Sequence, residues 1–118
     1  MCLSMVSRKF KKPVHNKVFA GYKVVRLIAG QYTALRGGPR FSAGEWQEAR
    51  GGGIYYSALR SYPAGFHAFL TPRAAREYGR ETTDAVVVKV LLKGVHTMGW
   101  QEHAAYVAKW QKVVEEVK

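Results

Sequence analysis

Residues 18–28 (VFAGYKVVRLI) are rich in the β-branched and aromatic side chains that suit a strand. By the two-residue repeat Tyr22, Val24, Arg26 and Ile28 share one face, and Lys23, Val25 and Leu27 share the other. Ala29-Gly30 punctuates the run, and residues 31–35 supply a short hairpin partner. The strongest strand pattern is 83–93. Val86, Val88, Val90 and Leu92 form an apolar stripe there, opposite a mixed stripe of Val87, Lys89, Leu91 and Lys93. One dry face and one half-polar face fit an antiparallel sheet. Gly94 is read as the end of this strand, and residues 95–103 as a loop or edge segment. Phe66, Ala68 and Leu70 alternate with His67 and Phe69, which makes 65–70 another strand.

One helix has clear boundary signals. Thr71 suits the N-cap, Pro72 the first helical position and Gly79 a left-handed stop, so a helix over about 72–78 is predicted. Ala74, Ala75 and Tyr78 are its inward face. Two turns are marginal alone, so this helix depends on packing. Residues 54–59 read as a strand or a turn-rich piece ending at Ser61-Tyr62-Pro63. Trp46 covers an edge of the core within an ambiguous stretch, 42–49. Residues 36–40 and 50–53 are loops by their glycines and proline. Gly51-Gly52-Gly53 lacks the Lys-Ser/Thr pair and the strand–loop–helix setting of a phosphate cradle. The tail, 104–118, fits both periods: its alanine, lysine and glutamate content favours helix, and its valines favour strand.

These elements predict an α+β fold, a twisted and mostly antiparallel sheet of five to six strands with the one short helix. Residues 1–17 read as a flexible basic N-terminal arm, and 18–118 as a single domain. Pro13 denies the arm one backbone donor. With 118 residues, 47% of them hydrophobic and 13% aromatic, a packed core is expected. The lone Cys2 excludes an intramolecular disulfide framework. No apolar run reaches the ~20 residues of a membrane-spanning helix, so a cytoplasmic protein without a membrane partner is expected.

Charge adds most to this picture. The formal net charge is +11, with 19 Lys and Arg against 8 Asp and Glu. All of the excess lies in residues 1–80, and no acid precedes Glu45. Arg8, Lys9, Lys11, Lys12, Lys17, Lys23, Arg26, Arg36 and Arg40 stand in that acid-free stretch. Charge this lopsided concentrates polyanions near the protein and speeds their encounter. The expected partner is nucleic acid, or an acidic protein surface that handles or imitates it; aromatic rings beside those cations suit unpaired bases.

Catalytic signals are faint. His15, His67, His96 and His103 follow no metal-ligand spacing, although His96 and His103 could meet across a turn beside Glu102. No Ser-His-Asp or Cys-His signature is present, and Asp84 stands where a strand begins. Binding is therefore expected over catalysis, with no catalytic, metal or cofactor residues assigned.

The ordered set Gly21-Tyr22-Lys23-Val24-Val25-Arg26, Gly44-Glu45-Trp46, Gly65-Phe66-His67-Ala68-Phe69, Val87-Val88-Lys89-Val90 and a closing valine segment resembles small basic proteins of bacteriophages and prophages. The resemblance covers roughly residues 18–117 and implies an extended final segment, which favours strand for the tail. It also implies an accessory protein of the host cytoplasm, such as an anti-defence or anti-CRISPR-like inhibitor. A more distant similarity is to the core of ADP-ribosyltransferase-like folds. That similarity implies Arg26 at a nicotinamide dinucleotide, His67 on the second motif strand and Glu115 or Glu116 as the late acid, in an active or a degenerate enzyme.

Overall fold

The computed structural model describes residues 3, 5–14, 17–34, 40–49, 54–56, 61–63 and 65–117. In chain order the strands are β1 (Met5–Val14), β2 (Phe19–Ile28), β3 (Gln31–Ala34), β4 (Gln47–Glu48), β5 (Ile54–Tyr56), β6 (Ser61–Pro63) and β7 (Phe66–Phe69). Helix α1 (Pro72–Gly79) follows, then β8 (Ala85–Gln101) and β9 (His103–Val117). Seven strands form one antiparallel sheet, and β5 and β6 form a separate two-stranded ribbon. The architecture is α+β, as the patterning implies, with more strands than the five to six expected.

Strand β8 organises the sheet. One of its edges pairs with β9 from Val87 to Gln101. Along the other edge β2 covers Ala85–Leu92 and β1 covers Val95–Trp100, so β1 and β2 lie end to end. Strand β2 meets β7 at Tyr22 opposite Phe69, β7 pairs with β9, and β9 returns to β8, so the pairings close a ring. Closure requires a bent hairpin. The β8–β9 register slips between Lys89 and Val90 and again between Val95 and Thr97. Each slip is a bulge that bends and twists its strand.

Gly94 therefore does not end the strand as its residue type suggests. Its φ of +69° is a left-handed step beside the second bulge, and β8 continues through the segment expected to be a loop or edge segment. That bulge also explains why the neighbours His96 and Thr97 are both buried. The tail is a strand along its whole described length.

Two apolar layers result, one on each side of the sheet. Val25, Ala68, Val88, Val90, Leu92, Val95, Ala108 and Val113 form one. Leu3, Val6, Tyr62, Phe69, Ala74, Ala75, Val87, Ala105 and Val107 form the other, beneath α1. Thr71 caps α1 by accepting the Ala74 N–H at 3.2 Å. Gly79, expected as a left-handed stop, is instead a helical residue followed by Arg80 at φ −59°. Its absent side chain lets α1 lie on Val24, whose Cγ2 a Cβ would strike.

Met5–Val14, expected as an unpaired arm, forms a strand against β8. The physical reason is non-local: β8 runs past the end of β2 and offers unpaired backbone there, which the local sequence around Arg8 cannot reveal. The pairing is irregular between Lys9 and Val14, the interval containing Pro13. Gly99 permits the close approach, because a Cβ there would strike the Met5 carbonyl oxygen.

Ala29 and Gly30 take φ values of +51° and +80° in the two-residue turn joining β2 to β3. This is the backbone of a primed hairpin turn, which favours Asn-Gly. Ala29→Asn is expected to raise stability by part of the ~1–2 kcal/mol that left-handed backbone costs an ordinary residue. Gly79→Ala is expected to lower it by about 1–3 kcal/mol through overpacking on Val24, despite alanine's better helix propensity. Urea unfolding of the two variants, read by circular dichroism, checks both signs.

Candidate functional site

The nine cations of the acid-free stretch separate in space. Arg8, Lys9, Lys11 and Lys12 are all carried by β1, with Arg8 opposite Met98 and Lys9 opposite Thr97. Lys17 is exposed just before β2 and lies 5.0 Å from the centroid of the Phe19 ring. Because β1 and β2 share one edge of β8, Lys17 continues the row that β1 begins. Beyond β1, the strand order contains no further partner among the described residues, so β1 is an edge strand.

The other four do not extend that row. Arg40 is exposed next to Phe41, which bridges to Tyr32 of β3. Arg26 Nε stands 3.7 Å from Asp84 Oδ1, an ion pair too long for a hydrogen bond and too exposed to add much stability. Arg36 lies outside the described residues. Lys23, expected on the cationic surface, turns inward. It follows the period of Val25, and its ammonium donates to Gln111 Oε1 at 3.1 Å and lies 5.3 Å from the Phe66 ring centroid. Gln111 in turn donates to Gln47 Oε1 at 2.9 Å, which ties β4 into the same chain of contacts. Among the described residues no carboxylate pairs with Lys23. Burial lowers its pKa from 10.5 to about 8.

On the opposite side of the sheet the buried Leu3 N–H donates to Tyr62 Oη at 2.6 Å, and Tyr62 Oη is 3.1 Å from His67 Nε2. The His67 pKa is lowered from 6.5 to about 3, by burial first and then by the Lys23 charge, against the opposing effect of a hydrogen bond with the Gly65 backbone. His67 is thus neutral at pH 7, with Nε2 accepting from the Tyr62 hydroxyl. His96 Nδ1 lies 2.7 Å from Thr97 Oγ1. His103 contacts Glu77 of α1 at 3.0 Å, and Arg73 reaches the same carboxylate at 3.3 Å. His96 and His103 are therefore engaged with different groups. No cluster of three or more potential metal ligands occurs among the described residues.

The residues implied for a dinucleotide site are spread over the sheet. Arg26 is on β2 beside Asp84, and His67 is on β7 against Tyr62. Glu115 and Glu116 are exposed on β9, opposite Lys89 and Val88. Sequence reading also passed over Trp100, 47% exposed opposite Met5, and the cation–ring contacts in which Lys93 and Lys112 lie 4.6 and 5.0 Å from the Trp46 centroid. Trp100 was hidden by its place in a segment expected to be a loop or edge segment.

No helix among the described residues is long and apolar enough to cross a membrane. No family model matches this chain, and neither a curated protein nor a solved structure matches it.

The buried His67 and the partly buried Lys23 both link stability to pH. Between pH 6.5 and about 3 the unfolded chain binds a proton that folded His67 does not, so stability falls as pH drops through that window by up to ~1.4 kcal/mol per pH unit. Between pH 8 and 10.5 the unfolded chain keeps a proton that folded Lys23 has lost, so stability rises with pH. His67→Gln is expected to flatten the acid limb. Lys23→Met is expected to remove the alkaline rise and to stabilise the protein at pH 7 by about 2–3 kcal/mol. Urea midpoints measured from pH 4 to pH 10 check both.

Proposed function

We propose that this is a binding protein of the accessory kind carried by bacteriophages, and that its cationic strand edge engages an acidic partner. The partner is nucleic acid, or the acidic surface of a host complex that handles nucleic acid, in the manner of an anti-defence inhibitor. One observation carries the reading: the four cations of β1, followed by Lys17, share a single edge of the sheet, in a stretch of sequence without a carboxylate. Cations and a proline on an edge strand also discourage pairing with a second chain, a role that needs no ligand. The two roles differ in their response to polyanions. Edge protection predicts indifference, whereas a binding face predicts an affinity set by counterion release.

No comparable convergence supports a transferase. Arg26, His67, Glu115 and Glu116 each have separate surroundings, and the described histidines have local partners.

Affinity for a polyanion such as heparin or a short DNA duplex is expected to fall steeply between 50 and 300 mM salt, with a log–log slope near −0.9 per phosphate contacted on a duplex. Replacing Arg8, Lys9, Lys11 and Lys12 together by Ser should reduce that slope by about three to four. Replacing the exposed Lys109, away from β1, should leave it unchanged. A flat salt dependence in the parent protein contradicts the reading. Anisotropy titrations at four salt concentrations make the measurement.

A further inference from the structure

We propose that the acidic partner is single-stranded nucleic acid, with one base stacked on Trp100 and its phosphates following β1. This inference rests on the polyanion-binding reading above and names the partner's class. It starts from an apolar pair that the cationic edge does not explain. Trp100 and Met5 are 47% and 52% exposed, and they sit directly opposite each other in the β1–β8 ladder. Opposite residues of an antiparallel pair share a face, as do residues two apart on one strand. Trp100, Met98, Met5 and the register position of Arg8 therefore belong to one face of the two strands.

An exposed tryptophan on a cationic edge is costly for solubility and adds nothing to edge protection, which the charges of β1 supply by themselves. Its chemistry fits an unpaired base. A base offers a π-face to the indole while its phosphate meets a cation alongside, and this pairing of features is what sequence-tolerant single-strand binding uses. A duplex hides its base faces, so it offers no base to stack on Trp100. An acidic peptide would satisfy the cations and likewise make no use of the ring. The other exposed apolar side chains lack this combination, since Leu27, Ile28, Val18 and Val114 are aliphatic. From Met5 to Val14 the strand lies against Trp100 to Val95 of β8, ~17 Å at ~3.3 Å per residue, which suits a footprint at the short end of the ~4–16 nucleotides known for single-strand modules.

The test uses the full chain and four probes: a fluorescent oligothymidylate 12-mer, a 12-base-pair duplex, a polyglutamate peptide and vesicles containing anionic lipid. The single strand is expected to bind at least tenfold more tightly than the duplex. It should also quench tryptophan fluorescence, and the quenching should be lost in Trp100→Ala. Trp100→Ala should weaken single-strand binding about tenfold while leaving heparin affinity and the salt slope unchanged. Trp100→Phe should recover part of the loss, and it serves as the variant of record if the alanine protein does not fold.

Equal affinity for single strand and duplex, with both Trp100 variants silent, overturns the inference and leaves the polyanion reading standing. So does preference for the polyglutamate peptide or the vesicles. Failure of every polyanion to bind removes both.

Discussion

Strand β8 is hydrogen-bonded along both edges for most of its length, and the rest of the structure depends on that double pairing. One long hairpin with β9 would lie as a twisted ribbon with a face exposed on each side. The two bulges bend it, and the bend brings β2 and β7 close enough to join at Tyr22 and Phe69. Ring closure buries Val88, Val90 and Leu92 completely on one side. On the other side α1 covers Val87 and Phe69, at a distance that the glycine at position 79 allows. Each layer therefore relies on a small backbone irregularity as well as on apolar side chains.

The same closure has a cost in buried polar groups. Lys23 occupies a position whose strand neighbours, Gly21 and Val25, are buried, and its ammonium is compensated by an amide oxygen and an aromatic face. A neutral acceptor offsets less of the desolvation of a cation than a carboxylate would, hence the lowered pKa. His67 avoids the same penalty by remaining neutral and taking a hydrogen bond from Tyr62. The two groups lie on different sides of the sheet, yet the Lys23 charge still reaches His67, as expected where little water screens it.

The outer edge of the sheet carries the functional reading. Because β2 stops short of the hairpin tip, β8 has room for β1, and β1 carries its basic sequence along an edge that is open among the described residues. The exposed pair Met5 and Trp100 lies at the tip end of that edge, next to the turn at Glu102. On the far side of the hairpin, Glu77 holds His103 and Arg73, so α1 is pinned to the start of β9. An edge strand of basic sequence, an exposed indole and a braced hairpin tip are thus brought together by strand pairing.

Much of this fold was legible in the sequence because its determinants are local. The valine alternation marked the buried stripe of β8, Thr71-Pro72 marked the start of α1, and Ala29-Gly30 marked a hairpin. Charge counting picked out nine cations, of which β1 carries four. What sequence alone could not decide were pairings between segments far apart in the chain. A basic stretch with one aromatic reads as a tail until a distant strand offers it backbone partners. Gly94 reads as a stop until a bulge is needed there, and Lys23 reads as surface charge until the sheet curls around it. Local preferences are set by each residue's own backbone and side chain, whereas burial and pairing are set by what else the closed sheet brings alongside.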